Sequence, residues 1–184
     1  ADMHSSGDFI GFLPYQLRNS NIAVYYDISF TDIIDPKDGK WNFQYPDLDE
    51  EISLGEIGEY GKGKVLSIIT YGNGLYLSLQ AQKEIEKKLK RKIKVIDLRW
   101  LSDIDIPKLL KAIGSCENVL IVDECRRTGC HGEGLFTQLM STKKQLNIKL
   151  HAAEDSFISL GVAATATLPS KESIIKNALE LVNG

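Results

Sequence analysis

Cysteine is scarce in this chain. Three residues, Cys116, Cys125 and Cys130, are too few and odd in number for a disulfide framework, and they fit a reducing compartment. Proline is scarce too, five in 184 residues, and there is no periodic glycine, no internal repeat and no low-complexity tract, so collagen-like and disordered classes fall away. No apolar run approaches the roughly 20 residues that span a bilayer. An excess of positive charge is also missing. With 22 Lys+Arg against 25 Asp+Glu and a net charge of −3, neither nucleic acid nor an anionic membrane is expected as the main partner. The opening residues show no charged, apolar, small-residue leader pattern. Met3 is the first methionine, after Ala1, and a processed or truncated product is the expectation. The expected location is the cytoplasm or an organellar matrix. What remains is 43% hydrophobic and 26% charged, ordinary globular composition, long enough to bury roughly 70% of the unfolded surface in one core.

Two textures meet near Gly61. Before it, the one convincing strand is Ile22–Tyr26, bounded by Arg18-Asn19-Ser20-Asn21 and Asp27. A turn cluster, Asp35-Pro36-Lys37-Asp38-Gly39, follows, with Pro presetting φ and Asp-Gly admitting positive φ. Trp41, Phe43 and Tyr45 alternate, as a short strand with one aromatic face would, and Asp47–Glu51 is acidic. Such a long stretch without a second clear strand reads as an interdomain connection lying on another surface.

From Lys62 the pattern becomes regular. Val65–Thr70 is a β-branched run ended by Gly72-Asn73-Gly74, so a buried strand and a tight turn are expected. A helix follows from Leu75 to Lys90, with Leu75, Leu79, Ile85 and Leu89 on a core-facing arc of about 120°. Lys94–Leu98 reads as the second strand. Asp105 is placed to cap a short helix with Pro107 in its first turn and Gly114 beyond its end. Val119–Val122 is the third strand, Gly132 or Glu133 to Gln145 a helix, Ile148–Ala153 a fourth strand, and Ser170 the cap of a final helix that aligns Ile174, Ile175, Ala178, Leu179 and Val182. Strand–helix alternation with short connections specifies an α/β domain around a mainly parallel sheet with right-handed crossovers.

Partners and ligands of open parallel sheets meet the carboxyl ends of the strands, and two such ends stand out. Tyr71-Gly72-Asn73-Gly74 lacks both the third glycine of a dinucleotide fingerprint and the Lys-Ser/Thr of a P-loop. It reads as a strand-to-helix turn. The second, Asp123-Glu124-Cys125-Arg126-Arg127-Thr128-Gly129-Cys130-His131-Gly132-Glu133-Gly134, crowds acids, arginines, thiols and a histidine into one connection. A zinc reading through Cys125, Cys130 and His131 lacks the Cys-x-x-Cys spacing and a second ligand pair. A thiol nucleophile, Cys130 beside His131 at a helix start, has a mechanism through a lowered pKa, although sequence neighbours rarely face each other. Arg126 and Arg127 suit clamping of a carboxylate or phosphate, anchoring of an interface, or pairing with Glu124. Cys116 and His151 read as packed residues, and His4 as part of a frayed terminus.

Several of these motifs resemble a known family. Leu54-Gly55-Glu56, Val65–Thr70 with Tyr71-Gly72-Asn73-Gly74, Val95-Ile96-Asp97-Leu98-Arg99-Trp100-Leu101 and Val122–Glu133 are similar, in order and spacing over 52–182, to one kind of C-terminal transketolase-type domain. It is the one found in the β subunit, or fused αβ chain, of the thiamine-diphosphate-dependent dehydrogenase of 2-oxo acid dehydrogenase complexes. Ile22–Tyr26 and Asp38-Gly39-Lys40-Trp41 through Tyr45-Pro46 resemble the last strand of its pyrimidine-binding domain and the following linker. Arg18–Asn21, Cys130 and His131 depart from the usual pattern. The resemblance implies a three-layer α/β/α domain with a five-stranded, mostly parallel sheet over 62–184, and a remnant of the preceding domain plus linker over 1–61. It also implies that catalytic residues, thiamine diphosphate and Mg2+ belong to parts of the enzyme outside this chain, so that the fragment alone is inactive and holds no cofactor. The implied partners are an α-type subunit or preceding domains, a second copy of the chain, and the lipoyl acyltransferase core. Glu124, Arg126, Arg127, Gly129, His131 and Gly132 are the candidates for interface or anion contacts, with no catalytic or metal-binding residue assigned. The substrate stays open among pyruvate, acetoin and branched-chain 2-oxo acids. Two alternatives also stay open: a standalone α/β binding or thiol-hydrolase-like domain using the Cys130/His131 loop, and another transketolase-family enzyme.

Overall fold

The structure, a computed structural model, describes residues 52–184 except 103, 143, 159 and 160. The strand expected at Ile22–Tyr26, the aromatic alternation at 41–45 and the acidic Asp47–Glu51 lie outside the described residues.

Five strands, β1 (Gly58–Tyr60), β2 (Leu66–Thr70), β3 (Lys94–Asp97), β4 (Asn118–Arg126) and β5 (Asn147–Ala153), form one sheet in the order β1-β3-β2-β4-β5. β1 runs antiparallel to β3, with Gly58 opposite Asp97 and Tyr60 opposite Val95. The other three pairings are parallel. β1 precedes the Gly61 boundary read from the sequence, yet it pairs within this sheet. Helices α1 (Asn73–Leu89), α2 (Ile106–Ile113), α3 (His131–Met140) and α4 (Lys171–Asn183) alternate with the strands, and a 3-10 turn spans Gly161–Ala166.

Every residue of β2 is buried, because a strand covered on both faces has no wet side to alternate with. On one face Leu66, Ile68, Val95, Leu120 and Val122 pack with Ala81 and Ile85 of α1 and Ile174, Ala178 and Leu181 of α4. On the other, Ile69, Ile96, Val119 and Ile121 pack with Leu109 and Ile113 of α2 and Leu135 and Leu139 of α3. The result is the three-layer α/β/α arrangement that the family resemblance implies.

Three boundaries differ from the sequence reading. α1 starts at Asn73, and its fully buried stripe is Gly74, Ser78, Ala81 and Ile85, while Leu75, Leu79 and Leu89 pack partly buried alongside. The small residues let the helix approach β2 closely: a Cβ on Gly74 would come within 2.2 Å of Thr70 Oγ1. β4 continues past Val122 to Arg126 because β5 runs beside it, pairing Asp123 with Ala152 and, after an irregularity, Arg126 with Ala153. α3 stops at Met140, where the Ser141 and Thr142 hydroxyls donate back to Thr137 O at 2.8 Å and Leu139 O at 2.7 Å and satisfy terminal carbonyls. The caps fall where the sequence places them. Asp105 accepts from Lys108 N at 2.9 Å, Gly114 N closes α2 on Leu110 O, and Ser170 and Ser173 cap α4 reciprocally.

Candidate functional site

The carboxyl ends of β2 and β4 lie side by side, and alternation along β4 sends its last two acids to opposite faces of the sheet. Asp123, 1% exposed, follows Val119 and Ile121 toward α3. Its Oδ2 accepts from Gly132 N at 2.7 Å, in the first turn of α3, and its Oδ1 accepts from Cys125 N at 2.8 Å. Tyr71, one residue beyond β2, donates its hydroxyl to the same Oδ1 at 2.7 Å. Burial, with the Asp123 charge next in weight, pushes the Tyr71 phenol far above its ordinary value, so Tyr71 is a permanent donor. Glu124 turns to the other face, where its Oε1 accepts from Gly74 N at 2.7 Å. Each acid thus terminates a helix by accepting a backbone donor at the positive end of its dipole. The close fit excludes a side chain at Gly132, whose Cβ would lie 2.7 Å from Leu150 Cδ1 and 3.0 Å from Asp123 Oδ2.

The connection itself is pinned from β5. Arg127 N donates to Ala153 O at 3.0 Å, and Asp155 receives both Thr128 N at 2.7 Å and Thr128 Oγ1 at 2.6 Å. These two Thr128 bonds, with Arg126 and Arg127 nearby, hold the Asp155 carboxyl below its usual range. Gly129, at φ 80°, turns the chain and gives its N–H to Glu133 Oε2 at 2.7 Å. Arg126 and Arg127 are exposed, and neither has an ion pair within 4.0 Å among the described residues. Glu124 therefore does not serve them. Phe157 follows on the same β5 extension, 89% exposed.

The thiols are unsuited to nucleophilic work. Burial first and the Asp123 charge second raise both Cys125 and Cys130, which disfavours the thiolate a nucleophile requires. Cys125 is exposed while Cys130 is buried. His131 begins α3, and its ring meets Tyr71 edge-on at 6.2 Å between centroids. A cleft of about 420 Å³ opens there, between Leu101, Ser102 and Ile104 on one side and His131, Leu135 and Gln138 on the other. No group of three or more His, Cys, Asp or Glu among the described residues is arranged to hold a metal. The acids at these strand ends accept backbone N–H groups as helix and turn caps.

Of the sequence candidates, Glu124, Gly129 and Gly132 build the connection from within, while Arg126, Arg127 and His131 face outward from it. Asp123 and Tyr71, which organise the site, were not among the candidates. The period-two alternation of β4 is the signal that could have shown Asp123 facing α3 beside Tyr71.

Residues 55–174 match the sequence profile of the family described as "Transketolase, C-terminal domain". The chain belongs to that family. Its curated relatives include the pyruvate dehydrogenase E1 component subunit beta of Staphylococcus aureus, 28% identical over 141 residues covering 74% of this chain and 43% of the relative. The same subunit of Staphylococcus epidermidis is 28% identical over 138 residues, with 73% and 42% covered. The match thus covers less than half the length of these relatives. Among solved structures it is similar to a split-gene transketolase in an inactive β4 tetramer, with TM-score 0.64, 17% identity and 76% of this chain and 45% of that one covered. A 2-oxoglutarate:ferredoxin oxidoreductase from Magnetococcus marinus gives TM-score 0.50 at 14% identity, covering 69% of this chain and 20% of that one. At these identities the two structures speak to the fold, a transketolase-type α/β domain.

Proposed function

We propose that this chain is the C-terminal interface and docking domain of a thiamine-diphosphate-dependent 2-oxo acid dehydrogenase. In this reading the complete enzyme decarboxylates a 2-oxo acid oxidatively and passes the acyl group to a lipoyl arm, with thiamine diphosphate and Mg2+ bound outside this chain. The chain ahead of the family match is the end of the preceding domain with its linker, and the interface domain begins before the Gly61 boundary read from the sequence, since β1 pairs within its sheet; it works in the cytoplasm or an organellar matrix. The observation that carries the reading is the family match together with relatives that are E1 β subunits. The site supports it by what it holds: a pinned connection presenting two exposed arginines without ion-pair partners among the described residues. Arg126 and Arg127 contact an α-type subunit, a second copy or the acyltransferase core, since Arg on a rigid support is a favoured interface anchor.

The test uses the native protein that contains this chain. Thiamine-diphosphate-dependent turnover is measured with pyruvate, acetoin and branched-chain 2-oxo acids, and assembly is followed by sizing. Arg127→Ala is expected to weaken subunit assembly about tenfold, the usual cost of truncating an anchor of 1–2 kcal/mol. No turnover with any of these substrates, or an unchanged oligomer with unchanged activity in the variant, overturns the proposal.

A further inference from the structure

β1 is the slightest element of the sheet, three residues long and, among the described residues, paired only with β3. It is nonetheless fastened at its entry by a charged relay. Arg99, just beyond β3, reaches Glu56 with Nη1 to Oε1 at 2.8 Å, and its Nε lies 3.6 Å from Asp97 Oδ2. Its backbone N–H donates to Asp97 Oδ1 at 3.2 Å. To make these contacts Arg99 adopts φ 56°, a left-handed conformation that costs a non-glycine residue about 1 kcal/mol or more. The guanidinium lies over Gly58, where a Cβ would meet Nε and Nη2 at 3.1 Å, so the glycine lets it fold closely over the strand. The lead-in is itself a fixed turn, with Glu56 N bonded to Ser53 O at 3.0 Å, Ser53 N to Glu56 Oε2 at 3.2 Å, and Lys108 Nζ of α2 donating to Gly55 O at 2.8 Å. Asp97 lies under this cover, 4% exposed and opposite Gly58 in the β1–β3 register.

We propose that Glu56, Arg99 and Asp97 form a pH-sensitive clasp that controls release of β1, and of the chain leading into it, from the edge of the sheet. The proposal is independent of the enzyme assignment. Closing the clasp buries a carboxylate whose hydrogen-bond and ion-pair partner among the described residues is Arg99. Burial dominates and raises the Asp97 pKa from 3.8 to about 6, against the opposing pull of the Arg99 N–H and guanidinium. The other charged or titratable groups around it do not reverse this balance. On the β1 side they are Glu56, Glu59 and Tyr60, with Glu59 paired to Lys94 at 3.1 Å. From α2 there is Lys108, directed at Gly55 O. β2 places Thr70 opposite Asp97, and the Tyr71 hydroxyl beyond it is committed to Asp123. The first turn of α1 brings Asn73, Gly74, Leu75 and Tyr76, of which Tyr76 carries the one ionisable side chain.

The sign follows from linkage. With β1 docked, Asp97 keeps its proton up to about pH 6. With β1 released, the hydrated carboxyl loses it near its ordinary value. Between the two the released form binds fewer protons, so raising the pH favours release. The clasp is therefore tightest in acid and loosest at neutral pH, the reverse of a surface ion pair.

Hydrogen–deuterium exchange of the whole protein between pH 4 and 7, corrected for intrinsic exchange rates, reads the release directly. Protection of the 58–60 amides is expected to fall about a hundredfold over that range, while the α4 amides keep theirs. Asp97→Asn, which retains the acceptor for Arg99 N–H, is expected to flatten the profile. Glu56→Gln is expected to lower protection a few-fold at every pH with the slope kept, and it serves equally if Asp97→Asn folds poorly. A flat wild-type profile, a slope that survives Asp97→Asn, or an equal loss in α4 overturns the clasp.

Discussion

Asp123 is the residue on which the carboxyl edge of the sheet depends. It is buried and accepts from Tyr71, Cys125 N and Gly132 N, so loss of the carboxylate leaves these donors unsatisfied, where a buried orphan costs about 1–3 kcal/mol. Tyr71→Phe removes one donor from a carboxylate that keeps two, so a loss of about 1–2 kcal/mol in denaturant unfolding is expected. Asp123→Ala strands three donors at once and is expected to cost at least about 3 kcal/mol, with α3 fraying from its first turn. Equal losses for the two variants would refute the central role of the carboxylate. The same charge sets thiol chemistry. Because burial and Asp123 raise the exposed Cys125, its alkylation by iodoacetamide is expected to be slower at pH 7 than that of an unperturbed thiol, and to accelerate on raising the pH above 9.

At the level of elements, two glycines of similar appearance should behave in opposite ways. Gly74 sits where a Cβ meets Thr70 Oγ1 at 2.2 Å, whereas a Cβ on Gly134 of α3 meets nothing within 4 Å. Gly74→Ala is expected to destabilise by about 1–3 kcal/mol through overpacking. Gly134→Ala is expected to stabilise by about 0.5–1 kcal/mol through helix propensity. Thermal denaturation of the two variants decides between packing and propensity as the larger effect. This contrast also marks how far the sequence could be read. The alternation of elements, the Asp105 and Ser170 caps and the mainly parallel sheet were legible because periodicity and capping are local. The extension of β4 to Arg126 was not, since Glu124, Cys125 and Arg126 look like a polar loop and only the neighbouring β5 backbone makes them a strand. The core-facing leucines of α1 do pack against the core with Ile85, but the small residues Gly74, Ser78 and Ala81 that lie deepest are not marked by apolar periodicity, because close approach to β2 and not hydrophobicity selects them. The sequence marks the second strand end as unusual without telling which of its residues face outward, as Arg126, Arg127 and His131 do, and the inward role of Glu124 depends on a contact 50 positions away in sequence, at Gly74.

For the whole molecule, the pH response combines opposing parts. Asp155, held low by Thr128, contributes order to the β4–α3 connection that is present above the ordinary carboxyl range and is lost as the pH falls through its lowered value. Asp97 acts in the other direction at the opposite end of the sheet. Acidification is thus expected to loosen the Thr128 region while tightening β1. Amide exchange at Thr128, with Asp155→Asn as the control that removes its pH dependence, checks the first half. Protection at Thr128 that is indifferent to pH between 2 and 5 would remove Asp155 from the account.

The two acids ending β4 carry a mechanical consequence. Asp123 holds the start of α3 and Glu124 the start of α1, so one short length of backbone grips both outer layers of the sandwich. A force applied at Arg126 or Arg127 by any bound surface enters the molecule through that grip and divides between the layers. The strand end works as a yoke: neither helix can be displaced at its origin without a tug on the other.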